Sequence, residues 1–192
     1  MRFNSHFELA GKHAYLSASK YHWINYSDEK LERTYKTAMM AARGTELHDL
    51  ASNCIRLKVR MPRTTETINA YVNDAIGFMM TPEQVLFYSP NAFGTADAIG
   101  FRLNPETGRY MLRIHDLKTG VIPGSFHQLD IYAAFFCLEY GFLPAEIDIE
   151  LRIYQNDDVS IMVGDFDEIT RIMSRIKLFD EMINDARAEA FS

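Results

Sequence analysis

RYMLRIHDLKTG, residues 109–120, is the stretch on which the reading of this chain turns. It is rich in β-branched, aromatic and aliphatic residues, and Leu112, Ile114 and Leu117 mark it as a core strand. Asp116 and Lys118 lie two apart at its end, and residues i and i+2 of a strand point to one face. A carboxylate and an ammonium therefore share one pocket, with Thr119 and Gly120 following at once. His115 faces the other way and reads as structural. Immediately upstream, NPETG (104–108) is a strong hairpin turn, and FGTADAIGFRL (93–103) before it is a strand with Asp97 in its middle. Pairing the two strands through that turn brings Asp97 towards Asp116.

Outward from this hairpin the pattern is mixed. EQVLFYS (83–89) reads as a further strand. SFHQLDIYAAFFCLEYG (125–141) has helical period and ends in Gly141. EIDIELRIYQ (146–155) is a strand, the turn Asn156-Asp157-Asp158 follows, and VSIMV is a short strand after it. A closing amphipathic helix spans about 165–188, spacing Phe166, Ile169, Ile172, Met173, Ile176 and Phe179 on one side. Towards the N-terminus, LSASKYHWINY (16–26) reads as a short helix or turn and a loop. A helix then starts at Ser27 or Asp28 and is expected to break at Gly44. A second runs from Thr45 towards Arg60, stopped by Pro62, and a third spans 64–80. The expectation is a mixed α/β chain: one domain over 1–192, with a helical part at about 1–80, a core at about 81–163 and the closing helix. No repeat, linker or low-complexity tract interrupts it.

Bulk properties narrow the function classes. With 192 residues, 47% of them hydrophobic and 24% charged, the chain has enough apolar material for one full core. No apolar run approaches the ~18–20 residues of a membrane span, and the first residues lack the basic-then-apolar profile of a secretory signal. The expected setting is cytoplasmic, with no membrane partner. Cys54 and Cys137 read as reduced core residues. Two cysteines rule out, within one chain, an all-cysteine iron–sulfur cluster or a four-thiolate zinc site. The net charge of −6 does not by itself suggest a nucleic-acid partner, because phosphate binding favours basic proteins.

The chemistry lies in the acidic hairpin. Two carboxylates converging beside a lysine are what a Mg²⁺- or Mn²⁺-dependent phosphodiesterase needs: the carboxylates hold the hard cation, and the lysine orients water and offsets charge at the phosphate. Taken alone, Asp116-x-Lys118 is more simply a surface ion pair on a strand; its core-strand neighbours Leu112, Ile114 and Leu117 and the Thr119-Gly120 that follows favour the functional reading. His48, four residues after Gly44 in GTELH, could add an imidazole to the same ion, which would suit Mn²⁺. The competing reading is a helix histidine hydrogen-bonded near the core. Gln128 and Tyr132, four apart on one helical face, could bind a DNA backbone or order the metal's surroundings. His127 and Asp130 flank them, and Glu46 belongs to solvent. Arg56, Lys58, Arg60 and Arg63 form the one dense basic run, read either as a solvated face or as a phosphate-contacting patch.

In this order and with these gaps, Gly44-x-x-x-His48, Gly94-x-x-Asp97, Asp116-x-Lys118-Thr119-Gly120 and Gln128-x-x-x-Tyr132 resemble the RecB-type branch of the PD-(D/E)XK nuclease superfamily. The resemblance covers about residues 44–132, and several such proteins come from bacteriophages. It implies a restriction-endonuclease-like core: a central mixed sheet flanked by helices, here with extra N-terminal helices. It further implies that His48, Asp97, Asp116 and the Leu117 backbone carbonyl hold Mg²⁺ or Mn²⁺, that Lys118 is the catalytic lysine, and that Gln128 and Tyr132 contact the substrate strand. The expected activity is a DNA nuclease, as an exonuclease acting on ends. A structure-specific endonuclease and a catalytically inactive nuclease-fold DNA-binding or protein-interaction module are the alternatives. No Walker-type G-x-x-x-x-G-K-[ST] is present, so unwinding would come from a separate helicase or recombination partner. A homo-oligomer is left open.

Overall fold

In the computed structural model the described residues are Phe7, Gly11, Lys12 and 14–190. They fall into two compact units, residues 1–43 and 44–192. In the first unit, a 3₁₀ helix spans Ala18–Asn25. Trp23 Nε1 donates to the Ser17 carbonyl at 2.9 Å, and the rings of Tyr15 and Tyr35 meet edge-on at 5.1 Å.

Helix α1, Asp28–Leu57, begins in the first unit and ends in the second. Ser27 Oγ accepts from the Lys30 N–H, and Asp28 and Glu29 sit in the first turn, where acids favour the helix dipole. The expected break at Gly44 does not occur: α1 is one helix of 30 residues. Gly44 costs the helix about 1 kcal/mol of propensity, but its reason is tertiary. A Cβ there would stand 2.7 Å from Thr119 Oγ1. The helix ends earlier than Arg60, because Lys58 turns into the left-handed region at φ 56° and the Val59 N–H returns to the Cys54 carbonyl. Helix α2, Thr67–Gly77, is shorter than the expected 64–80. Left-handed Met79, φ 55°, turns the chain out of it.

Five strands follow the helices: β1 (Thr81–Ser89), β2 (Ala92–Leu103), β3 (Tyr110–Leu117), β4 (Asp148–Gln155) and β5 (Asp158–Val163). They form one mixed sheet in the order β1-β2-β3-β4-β5. The first three pair as an antiparallel meander, β4 runs parallel to β3, and β5 returns antiparallel. A parallel neighbour needs a crossover, and helix α3, Phe126–Tyr140, supplies it. Ser125 Oγ caps α3 by accepting from the His127 N–H, and Gly141 closes it in the left-handed conformation, φ 74°. Helix α4, Phe166–Ala190, starts on Asp165, whose Oδ1 accepts from the Asp167 and Glu168 N–H groups.

Helices cover both faces of the sheet. On one, α3 and the Ile169–Ile176 side of α4 pack on Leu112, Ile114, Ile149, Leu151 and Ile153. On the other, Tyr71, Val72 and Ala75 of α2 and Ala51 and Ile55 of α1 pack on Ala98, Leu117 and Tyr154. Leu112, Ile114 and Leu151 are fully buried, so truncating any of them to Ala would cost about 2–5 kcal/mol. Among the described residues, no helix is long and apolar enough to cross a membrane.

Candidate active site

The site is built where β2 and β3 run side by side. Their register pairs Ala98 with His115 and Ile99 with Ile114. One step further along, Asp97 stands across from Asp116. Residues opposite each other in an antiparallel pair share a face, with Cβ atoms about 4.5–5.5 Å apart, so both carboxylates look towards the α3 side. Asp97 Oδ2 also accepts from the Leu117 N–H at 2.9 Å, which locks it to the end of β3. His115 goes to the opposite face.

Asp116 is 3% exposed. Lys118 Nζ lies 2.9 Å from its Oδ2 and donates to its Oδ1 at 3.0 Å, leaving Oδ2 buried without an aligned donor. The same ammonium donates to Gln128 Oε1 at 2.9 Å, and Gln128 Nε2 donates to the Tyr132 hydroxyl at 3.1 Å. Asp116, Lys118, Gln128 and Tyr132 thus form one hydrogen-bonded row from the end of β3 to α3. From the α1 side, His48 Nδ1 reaches to 3.5 Å from Asp97 Oδ2. The glycines of the two remaining motifs serve this convergence. Gly44 leaves room for Thr119 beside His48's helix, and a Cβ on Gly94 would come within 2.9 Å of Tyr132 Cε1.

One residue of the candidate site escapes sequence reasoning. Glu83 of β1 lies opposite Asp97, between the pairs Pro82–Ala98 and Gln84–Ala96. Its φ of 50° is left-handed, a conformation that costs an L-residue roughly 1–2 kcal/mol. His48, Glu83 and Asp97 each offer a ligand atom, all within 4.8 Å of one another, a grouping that could hold a metal ion. No periodicity marks Glu83. Counting back from the Ser89-Pro90-Asn91 turn would have put Gln84 opposite Asp97, because the β1–β2 register shifts by one residue between Phe87 and Ser89.

The field at this cluster is negative. Burial pushes the Asp97 carboxyl up to about 6, and Asp116 adds to the rise, against the pull of the Leu117 N–H and of His48. Burial first, then Asp97, Glu83 and Asp116, holds the Tyr71 hydroxyl well above its ordinary value. A group of this kind, with a buried carboxylate oxygen lacking a donor and an imidazole alongside, fits a hard divalent cation.

The other sequence candidates lie outside the cluster. Arg56, Lys58, Arg60 and Arg63 are all exposed, on the last turn of α1 and the segment after it. Arg56 is about 12 Å beyond His48 along the helix axis. His127 is exposed, whereas Asp130 is buried, and burial pushes its carboxyl up. Comparisons with known protein families, curated proteins and solved structures return no match for this chain.

Proposed function

We propose that this chain is a metal-dependent DNA nuclease built on the PD-(D/E)XK plan and acting on DNA ends. The observation that carries the reading is the convergence of Asp97, Asp116 and Lys118 where β2 and β3 run side by side, backed by Gln128 and Tyr132. The β-meander, crossover helix and parallel strand around it accord with the core that the sequence resemblance implies.

His48, Glu83, Asp97 and Asp116 are the side chains that would hold Mg²⁺ or Mn²⁺, with the Leu117 carbonyl added by the resemblance. Such an ion would supply Lewis acidity at the phosphate and would help to activate the attacking water. The chain's own groups do the rest. Lys118 carries its proton-rich ammonium between Asp116 and Gln128, where it can orient the attacking water and offset charge developing on the phosphate oxygens. Gln128 and Tyr132 offer donors to the strand backbone on the α3 side, and the tie from Gln128 to Lys118 couples strand contact to lysine position. The exposed basic run is the candidate for more distant phosphates.

The test is direct. Linear and circular DNA are incubated with Mg²⁺, Mn²⁺, Ca²⁺ or EDTA, and product sizes are read. Progressive shortening of the linear form alone, at least as fast in Mn²⁺ as in Mg²⁺ and stalled in Ca²⁺, is expected. Cleavage of circles would move the reading to an endonuclease. Robust cutting in EDTA, or none with either active ion, would overturn it.

A further inference from the structure

The chain between Lys118 and α3 is KTGVIPG, residues 118–124. Two of its side chains, Val121 and Ile122, are 77% and 82% exposed. The loop that carries them is held by its backbone. The Gln155 side chain, at the end of β4, donates to the carbonyls of Gly120 at 2.6 Å and Ile122 at 2.7 Å. Its Oε1 accepts from the Gly124 N–H at 3.0 Å. One amide thus makes three bonds to the loop's backbone and none to its side chains.

The loop's ends are fitted as closely. Thr119 lies against Gly44 of α1. At the other end, a Cβ on Gly124 would meet Ile153 Cγ2 at 2.9 Å and Lys118 Cγ at 3.1 Å, so the loop closes directly on the lysine's stem. Pro123 restricts the approach to Gly124. Ile122 is two residues from Gly124, hence within about 7 Å of it by chain reach. That is about two nucleotide steps at the ~3.4 Å rise of one strand.

Resting on the nuclease reading above, we infer that Val121 and Ile122 are a rigid apolar wedge that packs against a nucleobase next to the scissile phosphate and holds the strand end unstacked from its partner. Aliphatic side chains inserted at base steps act in this way. They carry no hydrogen-bonding group, so the contact tolerates any base. A strand lying along Lys118, Gln128 and Tyr132 has to pass this loop, which joins the first of them to the helix bearing the other two. A second copy of the chain is the poorer occupant. Two side chains fall far short of the ~800 Å² per partner of a stable interface.

The test compares the parent with the double variant Val121→Ser/Ile122→Ser, and with Val121→Leu/Ile122→Leu as the apolar control. The Gln155 bonds are to backbone, so the loop's hold survives both changes. The Ser variant should lose on the order of tenfold in kcat/KM on a blunt duplex and distinctly less on a single strand of the same sequence, and the Leu variant should recover most of the duplex activity. A duplex with 2-aminopurine in its terminal pair, bound in Ca²⁺, should brighten with the parent and not with the Ser variant. Equal losses on both substrates, parental duplex cutting by the Ser variant, or a parent dimer that the Ser variant abolishes would each overturn the wedge and leave the nuclease reading standing. A parent that cuts neither substrate in Mg²⁺ or Mn²⁺ would remove the nuclease reading, and the wedge with it.

Discussion

His115 and Asp116 are neighbours on β3 and point into opposite faces of the sheet, and the two faces treat charge differently. On the His115 side the ionic groups pair off. Arg152 reaches Asp74 at 3.2 Å and Glu150 at 2.9 Å, and Arg113 reaches Glu150 at 3.0 Å. Both guanidiniums lie over the Phe78 ring, at 4.5 and 4.7 Å from its centroid. Tyr154 donates to Asp74 at 2.8 Å and lies 3.2 Å from His115 Nδ1. The imidazole is pushed down to about 3 by burial and by the two arginines, so it stays neutral, with Nε2 left without a partner. On the Asp116 side, Lys118 pairs with Asp116, Glu83 and Asp97 gather with His48, and the Asp97 carboxyl is raised first by its burial and then by Asp116. Two arginines against two carboxylates hold a sheet to a helix. Three carboxylates, one lysine and an imidazole make a group that could hold a metal ion. Local pairing separates the structural polar cluster from the candidate site.

The largest effects should come from the unbalanced face. Asp116→Ala should abolish DNA cleavage and weaken Mn²⁺ binding in isothermal titration, because every metal-borne contribution leaves with the ion. Lys118→Ala should keep metal and DNA binding and lower the cleavage rate by ~10²–10³, the loss typical of one preorganised donor to a developing charge. A variant that melts like the parent and cuts at the parental rate would reduce Asp116-x-Lys118 to an ion pair without catalytic role.

The balanced face should answer in stability alone. Asp74→Ala removes one partner each from Arg152, which keeps Glu150, and from the Tyr154 hydroxyl, and should cost about 1–2 kcal/mol in chemical denaturation, at unchanged Mn²⁺ affinity. Loss of metal binding in that variant would erase the distinction between the faces.

The smallest expected change has the opposite sign. Asp97's folded value, about 6, lies above its ordinary 3.8. The folded protein therefore binds the proton more tightly than the unfolded chain, and the metal-free protein loses stability as pH rises from about 4 through 6. Above that window the penalty is present, and Asp97→Asn, which removes the charge, should recover part of it, stabilising the metal-free protein at pH 7.5 by about 1 kcal/mol. The advantage should shrink as pH falls from about 6 towards 4, and disappear when Mn²⁺ is added to the parent. A destabilised Asp97→Asn protein at pH 7.5 would mean that the carboxylate is held by partners of its own.

The sequence speaks most clearly where local rules govern. The hairpin turn at 104–108 fixes the β2–β3 register, and strand alternation puts Asp97, Asp116 and Lys118 on one face. The turn of α3 does the same for Gln128 and Tyr132, which hydrogen-bond in the structure. It misleads at Gly44, because a glycine's local meaning is a helix break while its role here is contact with Thr119, 75 positions away. It is silent on Glu83, whose left-handed backbone follows no propensity and whose importance comes only from standing opposite Asp97. The pinning of the 118–124 loop by Gln155 is likewise a long-range bond without local trace.

The account rests on a cation completing the unbalanced face, and electron paramagnetic resonance of Mn²⁺ titrated into the protein measures that directly. The parent should remove free Mn²⁺ signal stoichiometrically in the micromolar range, Asp74→Ala should do so identically, and Asp97→Asn should leave the signal free. Free Mn²⁺ in the presence of the parent, or capture that Asp97→Asn retains in full, would contradict the assignment of this cluster as a metal site.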